Sequence, residues 1–255
     1  MYNLNGKKGL VVGIANSSSI AYGCARAFSD AGAELAVTYM NDKTKTYVEP
    51  LLEGLNSTIF MPLDVEQNGQ LEAVFVEIEK QWGKLDFIVH SIAFAPMNDL
   101  HGRVIDSSRD GFLRAMDISC HSFARMAKLA EPLMVDGGAM LTMSYLGADE
   151  VVDHYGIMGP VKAALQSVTR YLAAELGTKA IRVNAISPGP LLTRAASGIK
   201  DFNNLMNEAI ERAPMHKLVT PEDIGELASF LVSDAAKLIT GETMFIDGGY
   251  HIVGG

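Results

Sequence analysis

Lys8-Gly-Leu-Val-Val-Gly13 is a short apolar run ending in glycine, Ile20 to Ala31 reads as an amphipathic helix, and Glu34-Leu-Ala-Val-Thr-Tyr39 is a second apolar run. Strand, helix and strand in succession make a βαβ unit, and the same alternation continues down the chain. Helices are expected over Lys43–Leu55, Gly69–Trp82, Asp110–Met134, Val161–Leu176 and Pro221–Val232. Between them fall apolar strands over Ser57–Leu63, Leu85–Ser91, Gly138–Met143, Arg182–Ser187 and Thr243–Asp247. Continuous apolar runs alternating with amphipathic helices imply a parallel sheet covered on both faces. No linker, repeat or low-complexity segment interrupts the pattern. The expected fold is α/β: a single-domain, Rossmann-type, doubly wound parallel sheet with helices on both faces, spanning residues 1–255.

The composition suits such a domain, with 48% hydrophobic and 20% charged residues. A net charge of −9 argues against nucleic acid or an anionic membrane as partner. Cys24 and Cys120 are too few and too far apart for a disulfide framework. The N-terminal residues lack the apolar core of a signal peptide, and no apolar run approaches the ~20 residues that span a bilayer. A soluble cytoplasmic protein is expected.

In a doubly wound sheet, ligands bind beyond the carboxyl ends of the strands. Gly13, Asp64, Ser91, Ser144 and Ser187 all fall at expected strand ends and so converge on one crevice. The first turn runs Gly13-Ile-Ala-Asn-Ser-Ser-Ser-Ile-Ala-Tyr-Gly23. Glycine admits close approach of a pyrophosphate, and the helix that follows offers amide donors. The G-x-G-x-x-G spacing is absent, and the serines serve equally as helix caps, so both readings stay open. After the second strand, Tyr39-Met40-Asn41-Asp42-Lys43 offers neither an acid placed for a ribose 2′-hydroxyl nor an arginine pair for a 2′-phosphate. Met40 can do neither job, and Asp42 and Lys43 come late enough to read as solvated. With no arginine pair, NADH is expected over NADPH. Asp64 reads as an adenine contact or as an ordinary helix cap, and His90, inside an apolar strand, as a hydrogen-bonded core residue. No metal-ligand spacing and no G-x-S-x-G elbow occur, so no metal is assigned.

The stretch from Ser144 to Lys162 carries the chemistry. Tyr155 and Lys162 stand seven apart, which on a helix puts them on one face about 10 Å apart along the axis. A phenol and an ammonium so placed address two parts of one extended ligand, although a half-buried Tyr and a solvated Lys is the plainer account of an isolated pair. Pro160 is compatible with the helix only inside its first turn. Further on, Pro188 and Pro190 stiffen the turn around Gly189. The small residues from Arg194 to Lys200 then have the composition of a mobile lid, or of a plain surface loop.

Taken together, these segments resemble the enoyl-acyl-carrier-protein reductases, a divergent branch of the short-chain dehydrogenase/reductases. The resemblance runs nearly end to end. It rests on Gly13 with Ser19-Ile-Ala-Tyr-Gly23, on His90-Ser-Ile-Ala93 and on Ser144-Tyr-Leu-Gly-Ala148. It continues through Tyr155 with Lys162, Arg182-Val-Asn-Ala-Ile-Ser187, Ala195-Ala-Ser-Gly-Ile199 and Asp247-Gly-Gly249. Ordinary short-chain dehydrogenases place the lysine four residues after the tyrosine, where this chain has Gly159.

The resemblance implies that Tyr155 meets the thioester carbonyl oxygen, that Lys162 holds the nicotinamide ribose, and that Tyr145 flanks the acyl chain. It implies a dinucleotide lined by Gly13, Ser19, Ile20, Met40, Asp64, Val65, Ser91, Ile92 and Ala93, and by Pro190, Leu191, Leu192, Thr193, Arg194 and Ala195, with Thr193 near its pyrophosphate. Ala95 joins Tyr145 and Tyr155 at the substrate, and the lid falls around residues 191–213. The expected reaction is NADH-dependent reduction of an enoyl thioester on acyl carrier protein or coenzyme A, by a homotetramer, in fatty acid biosynthesis. A short-chain carbonyl or alcohol dehydrogenase and a non-catalytic dinucleotide-binding regulator are the alternatives.

Overall fold

The computed structural model describes residues 2–193 and 202–253. Among them, β1 (Lys8–Val12), β2 (Glu34–Tyr39), β3 (Ser57–Pro62), β4 (Phe87–His90), β5 (Gly138–Met143), β6 (Ile181–Pro188) and β7 (Thr243–Ile246) form one sheet. Every pairing is parallel, in the order β3-β2-β1-β4-β5-β6-β7. The order reverses direction between β1 and β4, which opens the crevice expected of a doubly wound sheet.

Alternate residues of the strands feed two cores. Leu10, Ile88, Met140 and Val183 point toward α3 (Gln70–Trp82), α6 (Ser122–Ala130) and α7 (Met158–Leu176). Val11, Val37, Val89, Leu141 and Ile186 point the other way, toward α1 (Ile20–Asp30) and α9 (Pro221–Val232). Burial on both faces is why β4 and β5 read as unbroken apolar runs. Along α1, Ala21, Cys24, Ala25 and Phe28 are fully buried and share one cluster with Ile224, Ala228 and Leu231 of α9. Each large side chain so buried contributes about 1.5–3 kcal/mol.

Several boundaries differ from expectation for identifiable reasons. The helix expected over residues 43–55 is α2 (Asp42–Val48), which tightens into a 3₁₀ run, Glu49–Gly54, where Pro50 lacks an amide donor. The long helix expected over residues 110–134 is α5 (Arg109–Met116) and α6 joined by a π-helical turn at Asp117–His121, with a 3₁₀ end at Glu131–Leu133. Helix α7 begins at Met158, so Pro160 does lie in the first turn. Two helices were not anticipated: α4 (Met97–Leu100) and α8 (Phe202–Arg212). Among the described residues, no helix is long and apolar enough to cross a membrane. Cys24 and Cys120 are buried free thiols.

Candidate active site

Beyond the carboxyl ends of the central strands lies a cavity of about 490 Å³. Gly13, Met40, Asp64, Val65, Ser91, Ile92 and Ala93 all line it. At Gly13 the backbone has φ +110°, and a Cβ would lie 2.0 Å from Ser91 O, so only glycine fits where β1 and β4 pinch together. Ser19 does not cap α1. Its Oγ turns back to accept from Ala15 N (3.0 Å) and Asn16 N (3.1 Å), which shapes the turn and leaves the start of α1 without a side-chain cap. Of the two readings of the serine cluster, helix capping by Ser19 is therefore not realised. Ile20 opens α1 and is not part of the cavity wall.

At the rim, Met40 is 57% exposed and Asn41 is occupied as the cap of α2, accepting from Thr44 N at 3.0 Å. Lys43 is exposed as expected, yet it stands on the cavity wall and not away from it. Asp64 both lines the cavity and closes a local turn by accepting from Glu66 N at 3.0 Å. The sequence reading missed a group on the same wall. Arg114 donates to Glu66 through two bonds of 2.7 and 2.8 Å, and its guanidinium lies over the Phe94 ring at 4.5 Å. That hydrogen-bonded guanidinium holds the Glu66 carboxyl below its ordinary range.

The second part of the site follows β5. Tyr155 lies in the turn before α7, donating its amide to Val152 O and accepting from Met158 N at its own carbonyl. The expected helical face shared by Tyr155 and Lys162 is thus not formed, because the helix starts only at Met158. Packing aims Tyr155 instead. Its buried ring meets that of Tyr145 edge-on, with centroids 4.9 Å apart and planes at 61°. The ring also lies against Gly147, where a Cβ would sit 2.4 Å from Tyr155 Cδ1. Gly147→Ala should therefore displace the Tyr155 ring. Turnover is expected to fall about 10- to 100-fold while the protein remains folded by circular dichroism, since a ~1 Å misplacement costs that order of rate.

Burial pushes both phenols well above the ordinary tyrosine range, with Tyr145 raising Tyr155 further and Tyr250 and Glu208 raising Tyr145. Both stay protonated donors at neutral pH. Tyr145 Oη is buried and has no hydrogen-bond partner among the described residues.

Lys162 is 4% exposed, and its Nζ donates to Met143 O at 2.6 Å, which spends one of three donors. Burial lowers its pKa to about 8, leaving it mostly charged at pH 7. Next to it, His90 is fully buried between Thr142 Oγ1 (2.9 Å from Nδ1) and Ser122 Oγ (2.8 Å from Nε2). Ser122 Oγ donates to Ile118 O at 2.6 Å, so it accepts from His90 Nε2–H, and Nδ1 in turn accepts from Thr142. Burial and the Lys162 charge push the His90 pKa down to about 3. The ring is a neutral core group, as its apolar strand implied.

Ala95 is partly buried against the α6/α7 core. Pro190, Leu191, Leu192 and Thr193 leave the end of β6. Leu191 packs on the α1/α9 core, and Leu192 is 59% exposed. Arg194 and Ala195, with the expected lid segment through Ile199, lie outside the described residues.

Residues 13–251 match the family model described as enoyl-(acyl carrier protein) reductase. An enoyl-[acyl-carrier-protein] reductase [NADH] of Rhizobium meliloti is 47% identical over 98% of this chain and 92% of its own length. Among solved structures, the Anaplasma phagocytophilum reductase in complex with NAD has a TM-score of 0.95 at 45% identity, covering 100% of this chain and 98% of that one. The Bacillus cereus enoyl-acyl carrier protein reductase with NADP⁺ and an indole naphthyridinone has a TM-score of 0.96 at 43% identity, with both chains covered in full. Identity of this order along the whole length is a likeness of family and not of fold alone, and the chain belongs to the enoyl-(acyl carrier protein) reductase family.

Proposed function

We propose that this chain reduces the trans-2 double bond of an enoyl thioester with NADH in fatty acid biosynthesis, the acyl group riding on acyl carrier protein or coenzyme A. The observation that carries the reading is the buried, protonated Tyr155 held edge-on against Tyr145, with the Lys162 ammonium on the helix that follows. Three features of the cavity support a dinucleotide: Gly13 has no room for a side chain, the start of α1 carries no side-chain cap, and Asp64 and Ser91 are among the polar groups on the wall. When bound, NADH supplies the hydride that adds to the β-carbon of the substrate.

The chain's own residues do the rest. Gly13, Met40, Asp64, Val65, Ser91, Ile92 and Ala93 line the dinucleotide, with Ser19 and Ile20 shaping the helix start. Pro190, Leu191, Leu192 and Thr193, with Arg194 and Ala195, flank it beyond β6. Lys162 turns its two unspent donors to the ribose hydroxyls. Tyr155 donates to the thioester carbonyl oxygen, where negative charge collects as the β-carbon is reduced. Tyr145 and Ala95 border the acyl chain, and residues 191–213, which include α8, act as the lid. The cation-poor rim favours NADH, because Lys43 alone is a poor fork for a 2′-phosphate and Arg114 is held by Glu66. The protein works as a homotetramer, as the resemblance implies, and in the cytoplasm, a location consistent with its two buried, unpaired thiols.

The test is oxidation of NADH and NADPH, followed at 340 nm (the absorbance of reduced nicotinamide), against crotonyl, dodecenoyl and β-ketoacyl thioesters. Turnover of the enoyl substrates with a higher kcat/KM for NADH is expected. Faster reduction of the β-ketoacyl thioester would overturn the reaction, and a higher kcat/KM with NADPH the cofactor preference.

A further inference from the structure

Gln166 stands one helical turn beyond Lys162 on α7 and is 6% exposed. Its Nε2 donates twice, to Ser144 Oγ at 3.0 Å and to Asp149 Oδ2 at 2.9 Å. A carboxylate only accepts, so the amide nitrogen must face this side, and both of its hydrogens are in use. The two acceptors bracket one short segment. Ser144 immediately precedes Tyr145, and Asp149 immediately follows the 3₁₀ turn Leu146–Ala148. The bracketed residues make both contacts that aim the Tyr155 ring, the edge-on Tyr145 ring and the bare Gly147 backbone. Ser144 is also tied to the sheet through its amide on Ile186 O at 2.7 Å, whereas Asp149 is exposed at the far end of the segment. Without Gln166, the hydrogen bonds left at the Asp149 end, among the described residues, are those of its local backbone turn.

We infer that Gln166 is a positioning residue for enoyl reduction, clamping the Tyr145–Gly147 wall against which Tyr155 is aimed. The inference rests on the reading of Tyr155 as donor to the thioester. Gln166 acts through the wall, on the same helix that carries Lys162, so the two tyrosines and the lysine keep one frame of reference.

The test uses purified full-length protein and three variants. Gln166→Leu keeps the volume and removes both donors. Gln166→Glu sets a second carboxylate against Asp149. Gln166→Glu with Asp149→Asn reverses the polarity of the clamp, the introduced carboxylate now accepting from the introduced amide and from the Ser144 hydroxyl. Gln166→Leu should lower kcat about ten-fold with NADH affinity within two-fold of wild type, since the dinucleotide wall is untouched. Gln166→Glu should lose activity at neutral pH and regain part of it toward pH 5, where one carboxylate of the pair takes a proton. The double variant should recover most of the neutral-pH rate, which a loss of fold would not allow.

A Gln166→Leu rate within two-fold of wild type overturns the inference, as does a double variant no better than Gln166→Glu. The reading of the reaction is judged separately, by the wild-type protein on enoyl thioesters. Should that fail, hydrogen exchange decides: faster exchange at residues 145–149 in Gln166→Leu, with α7 unchanged, supports the clamp, and equal exchange removes it. If Gln166→Leu fails to fold, the Gln166→Glu pair carries the comparison.

Discussion

Tyr155→Phe lowers kcat about 100- to 1000-fold, because one donor to a developing oxyanion is worth roughly 2.7–4 kcal/mol. The phenyl ring preserves the edge-on contact with Tyr145 and the fit against Gly147, so the loss isolates the hydroxyl. Cofactor affinity should barely change. Tyr145→Phe is the companion measurement. Its hydroxyl has no partner among the described residues, so removing it strands no donor or acceptor there, and its edge-on packing survives. The expected loss is below about ten-fold. Hydride transfer to an enoyl thioester, followed before the steady state, separates the two. Wild-type transfer in Tyr155→Phe together with a dead Tyr145→Phe would invert the roles, and no effect of either would remove both tyrosines from the reaction.

Lys162→Ala weakens NADH binding by about 2–5 kcal/mol, through loss of two charge-assisted hydrogen bonds. Titration calorimetry measures it directly, and unchanged affinity in a folded variant would take Lys162 out of that role. The same residue gives a pH signature. With a folded-state pKa lowered to about 8, Lys162 holds its proton less tightly than it does in the unfolded chain, where about 10.5 is ordinary. The cost of its buried charge is therefore fully present below pH 8 and is relieved between pH 8 and about 10.5, so this group favours the folded state more as pH rises through that window. Cofactor affinity moves the opposite way, full below pH 8 and falling above it, as the charged donor is lost. His90 adds no inflection near pH 6.5, since its pKa is held at about 3.

The strands were legible because parallel strands buried on both faces are plain apolar runs, and Gly138–Met143 falls where the sequence placed it. The π-helical turn at Asp117–His121 was not. Ser119 within it and Ser122 just after it answer to partners far away in sequence: Ser119 pairs with the Phe94 backbone, and Ser122 with His90. Local periodicity contains no trace of such bonds. The Glu66–Arg114 pair was hidden for the same reason, as were the neighbours that aim Tyr155. Seven-residue spacing singled out Tyr155 and Lys162 as sharing one helical face, a geometry the chain does not use, and both side chains are buried where a half-buried Tyr and a solvated Lys were the plainer expectation. Met40 drew notice for what its side chain cannot donate, and it nonetheless stands at the cavity rim.

The packing of α1 along α9 has a consequence for synthesis. The helix that follows the first turn buries Cys24, Ala25 and Phe28 against a partner that begins only at Pro221. At about 5–20 residues per second, a ribosome needs roughly 10–40 s to travel from one to the other. Throughout that interval the apolar face of α1 lacks its α9 cover and has only the early strands to pack on, and contacts of such long sequence separation are slow to form afterwards. The first motif to leave the ribosome is therefore among the last to be finished, and a nascent chain stalled before Pro221 would present that face to chaperones.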